Sequence, residues 1–350
     1  MQSGGLPSRS LLAVFNKSWL RIGLSLLLAT VAIFLLARNI NIADVQIALS
    51  EADYTFIAIA LLIFLFTLIV KVWRWYWMFH SGQIRPGIGS LYRAMVVGQF
   101  VNFIFPLRMG ELARLYSLDL QTGIGKTKIL STVIIEKTLD LVALFLSAAL
   151  LIPFIVLPEF IVDNGYPLAL VGLLVLVSLI FLAYRTEQVT TLVQRASKPF
   201  PNGVERKINQ VLVAGLNGLS SLRNWRLTLW LGLLSFLIVI LAILTPYALF
   251  RAFSLPLGFD DALILNLVMT LGMIPPSTPG KILVFEGLVI LMLRQFGVVD
   301  GNLMLSYAIV FHLVVALPQI VLGTIAFARG GFKLTSVTEN DLGQKQSQGS

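Results

Sequence analysis

The sequence predicts an all-α polytopic membrane protein with six full spans, two broken re-entrant hairpins and an inverted-topology repeat. Three observations carry that prediction. Of the 350 residues, 57% are hydrophobic and only 12% are charged, with a mean hydropathy of +0.88. A soluble domain has about 45–50% apolar and about 25% charged residues. The apolar residues gather in separate runs near or above the ~20 that cross a bilayer. Two of those runs are interrupted by Pro, Gly and charge at corresponding places in the two halves of the chain. This composition argues against a disordered chain, a soluble enzyme and a nucleic-acid binder. The net charge of +9, from 26 Lys+Arg against 17 Asp+Glu, reads as the cytoplasmic Lys and Arg of a membrane protein. There is no Cys, hence no disulfide and no thiolate chemistry. His80 and His312 are the only two His. No metal or cofactor is therefore expected.

The elements follow in chain order. Trp19–Ala37 is the first span. Its apolar stretch is too long for a signal-peptide h-region and no A-x-A site precedes Arg38, so it reads as a retained helix. Tyr54–Val70 is the second span. Leu91–Gln121 is apolar but carries Gln99, Asn102, Pro106, Arg108, Gly110, Glu111 and Arg114. Pro removes a backbone donor and Gly weakens a helix, so this stretch reads as helix–break–helix. Ile129–Leu157 and Tyr166–Tyr184 are uninterrupted spans. The linker 185–226 is basic and holds Trp225, which suits either an amphipathic segment on anionic headgroups or a solvated loop. Leu227–Phe250 is the fifth span. Ala262–Phe296 is the second broken stretch, with Asn266, Gly272, Pro275, Pro276, Pro279, Gly280, Lys281 and Glu286. Leu303–Ala328 is the last span, and 329–350 is a polar tail. Irregular backbone at membrane depth is tolerated only inside protein or beside water.

Charge in the connections sets the orientation. Residues 1–21 hold Arg9, Lys17 and Arg21 with no acid, whereas 38–53 hold Arg38 against Asp44, Glu51 and Asp53. The connection 71–93 contributes Lys71, Arg74, Arg85 and Arg93, and 158–166 contributes Glu159 and Asp163. The linker 185–226 has seven basic residues against Glu187 and Glu205, and 251–261 has Arg251 against Asp260 and Asp261. The signs alternate, which places both termini in the cytoplasm. The first hairpin then enters from the cytoplasm and the second, flanked by Asp260–Asp261 and Asp300, from the outer face.

Pro106 and Gly110 fall on Pro276 and Gly280 at an offset of 170, giving P-x-x-x-G twice. The order span, span, hairpin, span also repeats, in 15–165 and again in 166–328, within one integral membrane domain. The second copy starts on the opposite side, the arrangement of an inverted repeat. Interrupted segments at matching places point to a binding site.

Ionisable groups at bilayer depth must face protein, water or a partner. Arg108, Glu111 and Arg114 are three apart and share a helical face. One carboxylate between two guanidiniums leaves a positive charge that could hold a phosphate, or the three form a self-neutralising network. Glu136 and Asp140 lie on one face with Lys137 beside them. They read as salt-bridge partners of the hairpin arginines or as proton carriers. Lys281 and Glu286 stand in otherwise apolar sequence, and His312 reads as a hydrogen-bonded interior residue. The cluster Lys71, Trp73, Arg74, Trp75, Tyr76 and Trp77 reads as an interfacial aromatic belt with snorkelling cations. No P-loop, G-x-S-x-G, H-E-x-x-H or Rossmann fingerprint is present.

The run from Asn102 through Pro106, Arg108, Gly110 and Glu111 to Arg114 resembles the signature of a flippase-like integral membrane family. That family includes the transmembrane region of lysylphosphatidylglycerol synthases and the UPF0104 proteins. Glu136–Lys137–Thr–Leu–Asp140 is similar to its E-R-x-x-D element, and Pro276–Ser–Thr–Pro279–Gly280 with Glu286 to its P-x-T-P-G-G…E element. The resemblance covers roughly residues 15–328. It departs at Lys137 for Arg, at Lys281 for a second Gly, and at Phe311–His312 where an Arg is frequent. The resemblance implies handling of lipids such as aminoacylated phospholipids or polyprenyl-linked sugars. Members with lysyl-transferase activity carry a large soluble C-terminal domain. Only Arg329–Ser350 follows the last span here, so no aminoacyl transfer, and no enzyme, is expected.

The resulting expectation is a lipid translocator of the cytoplasmic membrane. Arg108, Glu111, Arg114, Glu136, Asp140, Lys281 and Glu286 would handle an anionic headgroup, while Asn102, Pro106, Gly110, Pro276, Pro279 and Gly280 would shape the breaks. Membrane lipids are the expected partners, with lipid-synthesis enzymes as further ones. The rivals are a membrane-embedded glycosyl or phosphoryl transferase acting on a lipid carrier, and a non-transporting member of a lipid-synthesis complex.

Overall fold

The computed structural model describes residues 46–47, 50–79, 85–104, 109–151, 191, 225–273, 279–281 and 283–329. Within them every regular element is helical. The helices are α1 (Tyr54–Met78), α2 (Ile88–Ile104), α3 (Gly110–Thr122), α4 (Lys126–Leu151), α5 (Trp225–Ala252), α6 (Phe259–Gly272), α7 (Val284–Gln295) and α8 (Gly301–Arg329), with a 3-10 turn at Pro279–Lys281. The spans expected at Trp19–Ala37 and Tyr166–Tyr184, most of the linker, the tail, and Arg108, Pro106 and Pro276 lie outside the described residues.

Local chemistry sets the helix ends. Asp53 caps α1, its Oδ1 accepting from Thr55 N at 2.8 Å. Asp300 does the same ahead of α8, accepting from Asn302 N at 2.9 Å and Leu303 N at 3.2 Å. Such caps satisfy donors that a helix start leaves unpaired. Pro246 lies inside α5 and Pro318 inside α8, and both helices continue through them. Beside Pro246, the Thr245 hydroxyl donates to Leu241 O at 3.0 Å, one of the ways a long apolar helix accommodates proline.

Among the described residues, three helices are long and apolar enough to cross a bilayer: Tyr54–Met78, Trp225–Ala252 and Gly301–Ala326. Each turns large apolar side chains outward, among them Leu62, Phe66 and Ile69 of α1, Leu229 and Leu233 of α5, and Leu313 and Leu317 of α8. Such faces suit contact with lipid and place the chain among integral membrane proteins. The interior has two main apolar clusters. One gathers α5 to α8 around Phe250, Tyr307, Phe311 and Phe285. The other gathers α1 to α4 and the start of α5 around Trp75.

The helices run longer than their apolar runs. The second span extends past Val70 through the aromatic cluster to Met78, and the fifth takes in Trp225 and Arg226 from the expected linker. The span expected from Ile129 starts at Lys126, and the last runs from Gly301 to Arg329. The charge count for 71–93 changes accordingly. Lys71 and Arg74 are in α1 and Arg93 is in α2, so of those four cations only Arg85 lies between helices.

Both interrupted stretches are helix–break–helix. α2 and α3 pack antiparallel, with Gly98 opposite Gly110 and Arg114, and Asn102 opposite Gly110. Asn102 Oδ1 accepts from Gly110 N at 2.7 Å and ties the two ends of the break together. A Cβ on Gly110 would fall on the Gly98 carbonyl oxygen and on the Asn102 side chain. In the second stretch, α6 and α7 pack together where Gly272 meets Leu288. The break between them takes left-handed backbone at Gly280 (φ 70°), Lys281 (φ 57°) and Leu283 (φ 74°). Lys281 is where the family resemblance has a second glycine, and its φ is one that glycine adopts without penalty.

These approaches make a direct prediction. Gly110→Ala should lower stability by about 1–3 kcal/mol or abolish folding through overpacking. Gly232→Ala, mid-α5 with no atom near the new methyl, should be neutral or stabilising by about 0.5–1 kcal/mol. Thermal unfolding of detergent-solubilised protein separates the two outcomes.

Candidate functional site

Two buried polar clusters stand out among apolar helices. The larger joins α1, α3, α4 and α5. Its centre is Arg114, whose Nη1 and Nη2 donate to Glu136 Oε1 and Oε2 at 2.9 and 2.6 Å. Both residues are buried. This two-point pairing is the geometry in which a guanidinium matches a carboxylate best. The guanidinium also lies over the Trp75 ring at 3.5 Å, and Trp75 Nε1 donates to Thr132 Oγ1 at 2.9 Å. The arginine is thus sandwiched between a carboxylate on α4 and an indole on α1, a cation–π contact strengthened by desolvation.

Beside it, Arg74 Nη1 reaches Asp140 Oδ1 at 2.7 Å and Ser235 Oγ at 2.8 Å. At 1% exposure for Arg74 and 0% for Trp75, these two residues are interior. The belt reading of the Lys71–Trp77 cluster is therefore wrong for them. α5 covers that face of α1, running antiparallel to it, with Asp53 N donating to Ala252 O at one end and Trp77 edge-on to Trp230 at the other. Toward the surface, Lys137 Nζ lies 3.0 Å from Glu111 Oε1 and 3.9 Å from Glu136 Oε1.

Glu111, Arg114 and Glu136 are thereby brought into one network, and Asp140 joins it through Arg74. The expectation that Glu136 and Asp140 bridge hairpin arginines is met at Glu136. Asp140 instead pairs with an arginine on the preceding span. The cluster contains the cations Lys71, Arg74, Arg114 and Lys137 against the carboxylates Glu111, Glu136 and Asp140. Lys71 makes no ion pair among the described residues. Arg74 Nε, Arg74 Nη2, Arg114 Nε and, on α2, Gln99 Oε1 are buried without a hydrogen-bond partner among them.

The smaller cluster lies near the contact between α2 and the 3-10 turn at Pro279–Lys281. His312 Nδ1, midway along α8, lies 2.5 Å from Glu286 Oε1, and Glu286 Oε2 accepts from Leu283 N at 2.6 Å. The imidazole stacks on Phe285 at 4.5 Å and meets the Phe103 ring of α2 edge-on at 6.2 Å. α2 also packs against the 3-10 turn. Glu286 and His312, both buried, are thus joined, while Lys281 stands half-buried on the turn. The described residues hold no group of three His, Asp or Glu residues fit for a metal ion.

The larger cluster makes a stability prediction. Glu136→Ala strands a buried guanidinium and should cost about 3–5 kcal/mol. Replacing Arg114 and Glu136 together by Leu should cost less than Glu136→Ala alone, as read from thermal unfolding midpoints in one detergent.

Residues 22–323 match the family described as the lysylphosphatidylglycerol synthase TM region. That match takes in both broken stretches and both polar clusters. No curated protein matches the chain. A family match over most of the chain, on helices built to meet lipid, fixes its place: the protein belongs to the lysylphosphatidylglycerol synthase TM region family.

Proposed function

We propose that the protein is a lipid translocator that carries the anionic headgroup of a phospholipid or polyprenyl-linked lipid across the cytoplasmic membrane. The observation that supports this most is the unbalanced charge of the larger cluster. Arg114 and Glu136 satisfy one another, and Glu111 and Asp140 take Lys137 and Arg74. Lys71 is left over, beside buried Arg74 and Arg114 donors that have no acceptor among the described residues. An anion with several acceptor oxygens answers both the surplus charge and the unmet donors, and a phosphate is such an anion. Arg108, two residues before Gly110 in the sequence, would add a further cation. The pairs Glu111–Lys137 and Asp140–Arg74 would open to admit the headgroup and re-form on release.

In this reading the chain has six full spans, both breaks are re-entrant, and the halves form an inverted-topology repeat with both termini in the cytoplasm. The two breaks then bracket the path, and acyl or prenyl tails stay in lipid. The protein acts without covalent chemistry of its own, and enzymes of lipid synthesis are the partners that would deliver or consume the lipid.

The test uses proteoliposomes with acyl-labelled fluorescent phosphatidylglycerol and an external quencher. Lys71→Ala with Arg108→Ala should slow headgroup movement by about 10- to 100-fold, the equivalent of one charge-assisted hydrogen bond at about 1.5–3 kcal/mol. Arg93→Ala, exposed on α2, should leave it unchanged. Movement unaffected by the double variant sinks this assignment. Product formation from a nucleotide sugar and a lipid phosphate would establish the transferase alternative instead.

A further inference from the structure

We infer that Glu286 and His312 form a proton-binding site through which this protein couples lipid movement to a proton gradient, an inference that rests on the translocator reading above. The geometry is specific. A ring nitrogen of His312 lies 2.5 Å from a carboxylate oxygen of Glu286, in a site closed by Phe285 on one ring face and Phe103 at the edge. At that separation a proton lies between them. With Glu286 ionised and the ring neutral, that proton is on Nδ1 and the pair carries one negative charge. Uptake of one further proton at Nε2 gives imidazolium and carboxylate with no net charge, and its loss from Nε2 to water restores the first state. Histidine is the side chain whose ordinary pKa permits this exchange near neutrality. One imidazole and one carboxylate make a poor site for a hard cation, which needs six or more oxygen ligands.

Charges on the elements packed around the pair include Lys71 and Arg74 of α1 and Arg226 and Arg251 of α5, both helices packing on α8, and Asp260 and Asp261 of α6, which packs on α7. α7 presents Glu286 to it, with Arg294 two turns further on. α8 presents His312, with Arg329 at its far end. α2 presents Phe103, and its own cation Arg93 is ten residues away. The 3-10 turn carries Lys281, five residues before Glu286.

The pair is also wired to a strained break. The second oxygen of Glu286 accepts from Leu283 N at 2.6 Å, and Leu283, Lys281 and Gly280 all have left-handed backbone. For the two that are not glycine that conformation is strained, so the break keeps its shape only while its contacts hold it. The carboxylate that senses the proton on the ring is the one that fixes the break. The turn so fixed is the one against which α2 of the other hairpin packs. Proton occupancy and the relation between the two hairpins are therefore tied through one side chain.

The experiment places the protein in vesicles of phosphatidylcholine and phosphatidylglycerol (about four to one) with the same labelled lipid, clamps the membrane potential, and imposes a pH difference of about two units. One proton per lipid then shifts the leaflet ratio by up to about 100-fold at steady state, since one pH unit is worth a factor of about ten. A trapped pH dye should report proton movement that the labelled lipid drives. His312→Arg keeps a cation beside Glu286 but does not titrate. It should let the label equilibrate and leave the ratio near one whatever the gradient. His312→Gln serves as a second non-titrating variant, and monodisperse elution from detergent establishes that each is folded. If wild type equilibrates the label but shows no gradient-dependent ratio, or if both His312 variants still build one, the coupling is wrong while translocation stands. If no label moves under any condition, translocation fails and the coupling fails with it.

Discussion

The architecture depends on keeping the Arg114 guanidinium buried in an apolar setting. A lone buried charge is costly, and two neighbours make it tolerable, Glu136 by two hydrogen bonds and Trp75 by its ring face, while Gly98 of α2 packs close to the Arg114 Cβ. Each partner sits on a different helix, so α1, α2, α3 and α4 are fixed relative to one another by a single side chain. Arg74 repeats the arrangement one step away, bringing in Asp140 from α4 and Ser235 from α5. Buried ion pairs of this kind add little net stability over apolar packing, but they penalise any other arrangement heavily. The polar interior therefore acts mainly on specificity of packing. The remaining stabilisation comes from the aromatic and aliphatic clusters around it.

The two breaks solve the same backbone problem with different means. In the first, two glycines allow α2 and α3 to touch, and Asn102 supplies the acceptor that the free N–H of Gly110 needs. In the second, Glu286 supplies an acceptor for Leu283 N, and left-handed backbone at Gly280, Lys281 and Leu283 turns the chain. The first break is closed by a neutral amide and the second by a carboxylate. That difference sets their chemistry apart: one has a fixed hydrogen-bond pattern, and the other has a pattern that depends on a proton.

The sequence made the four described long helices readable because hydropathy marks them without reference to partners, and their ends shifted only where polar residues continue a helix past its apolar run. Both breaks were readable because Pro and Gly act locally. Glu111, Arg114, Glu136 and Asp140 were recognisable as charges in the wrong solvent. Arg74 and Trp75 were not. A run of Trp, Tyr and cations at the end of an apolar span has the same composition whether it meets headgroups or protein, and only the packing of α5 decides. The residue that takes the Arg74 proton donor, Ser235, is 161 positions away. The pairing of Glu286 with His312 was equally hidden, since 26 residues and a loop separate them. A histidine in an apolar span announces that it has a partner, but not which one.

The outer edge of the larger cluster has a consequence for the membrane itself. Lys137 and Asp140 keep 49% and 36% of their side-chain surface exposed on α4. Hydrocarbon does not wet such groups, so water and headgroups are drawn down to meet them. With α4 in a bilayer, the apolar slab beside these two groups would be thinner than elsewhere. In the translocator reading proposed above, a lipid next to this face would have a shorter dry distance to carry its headgroup.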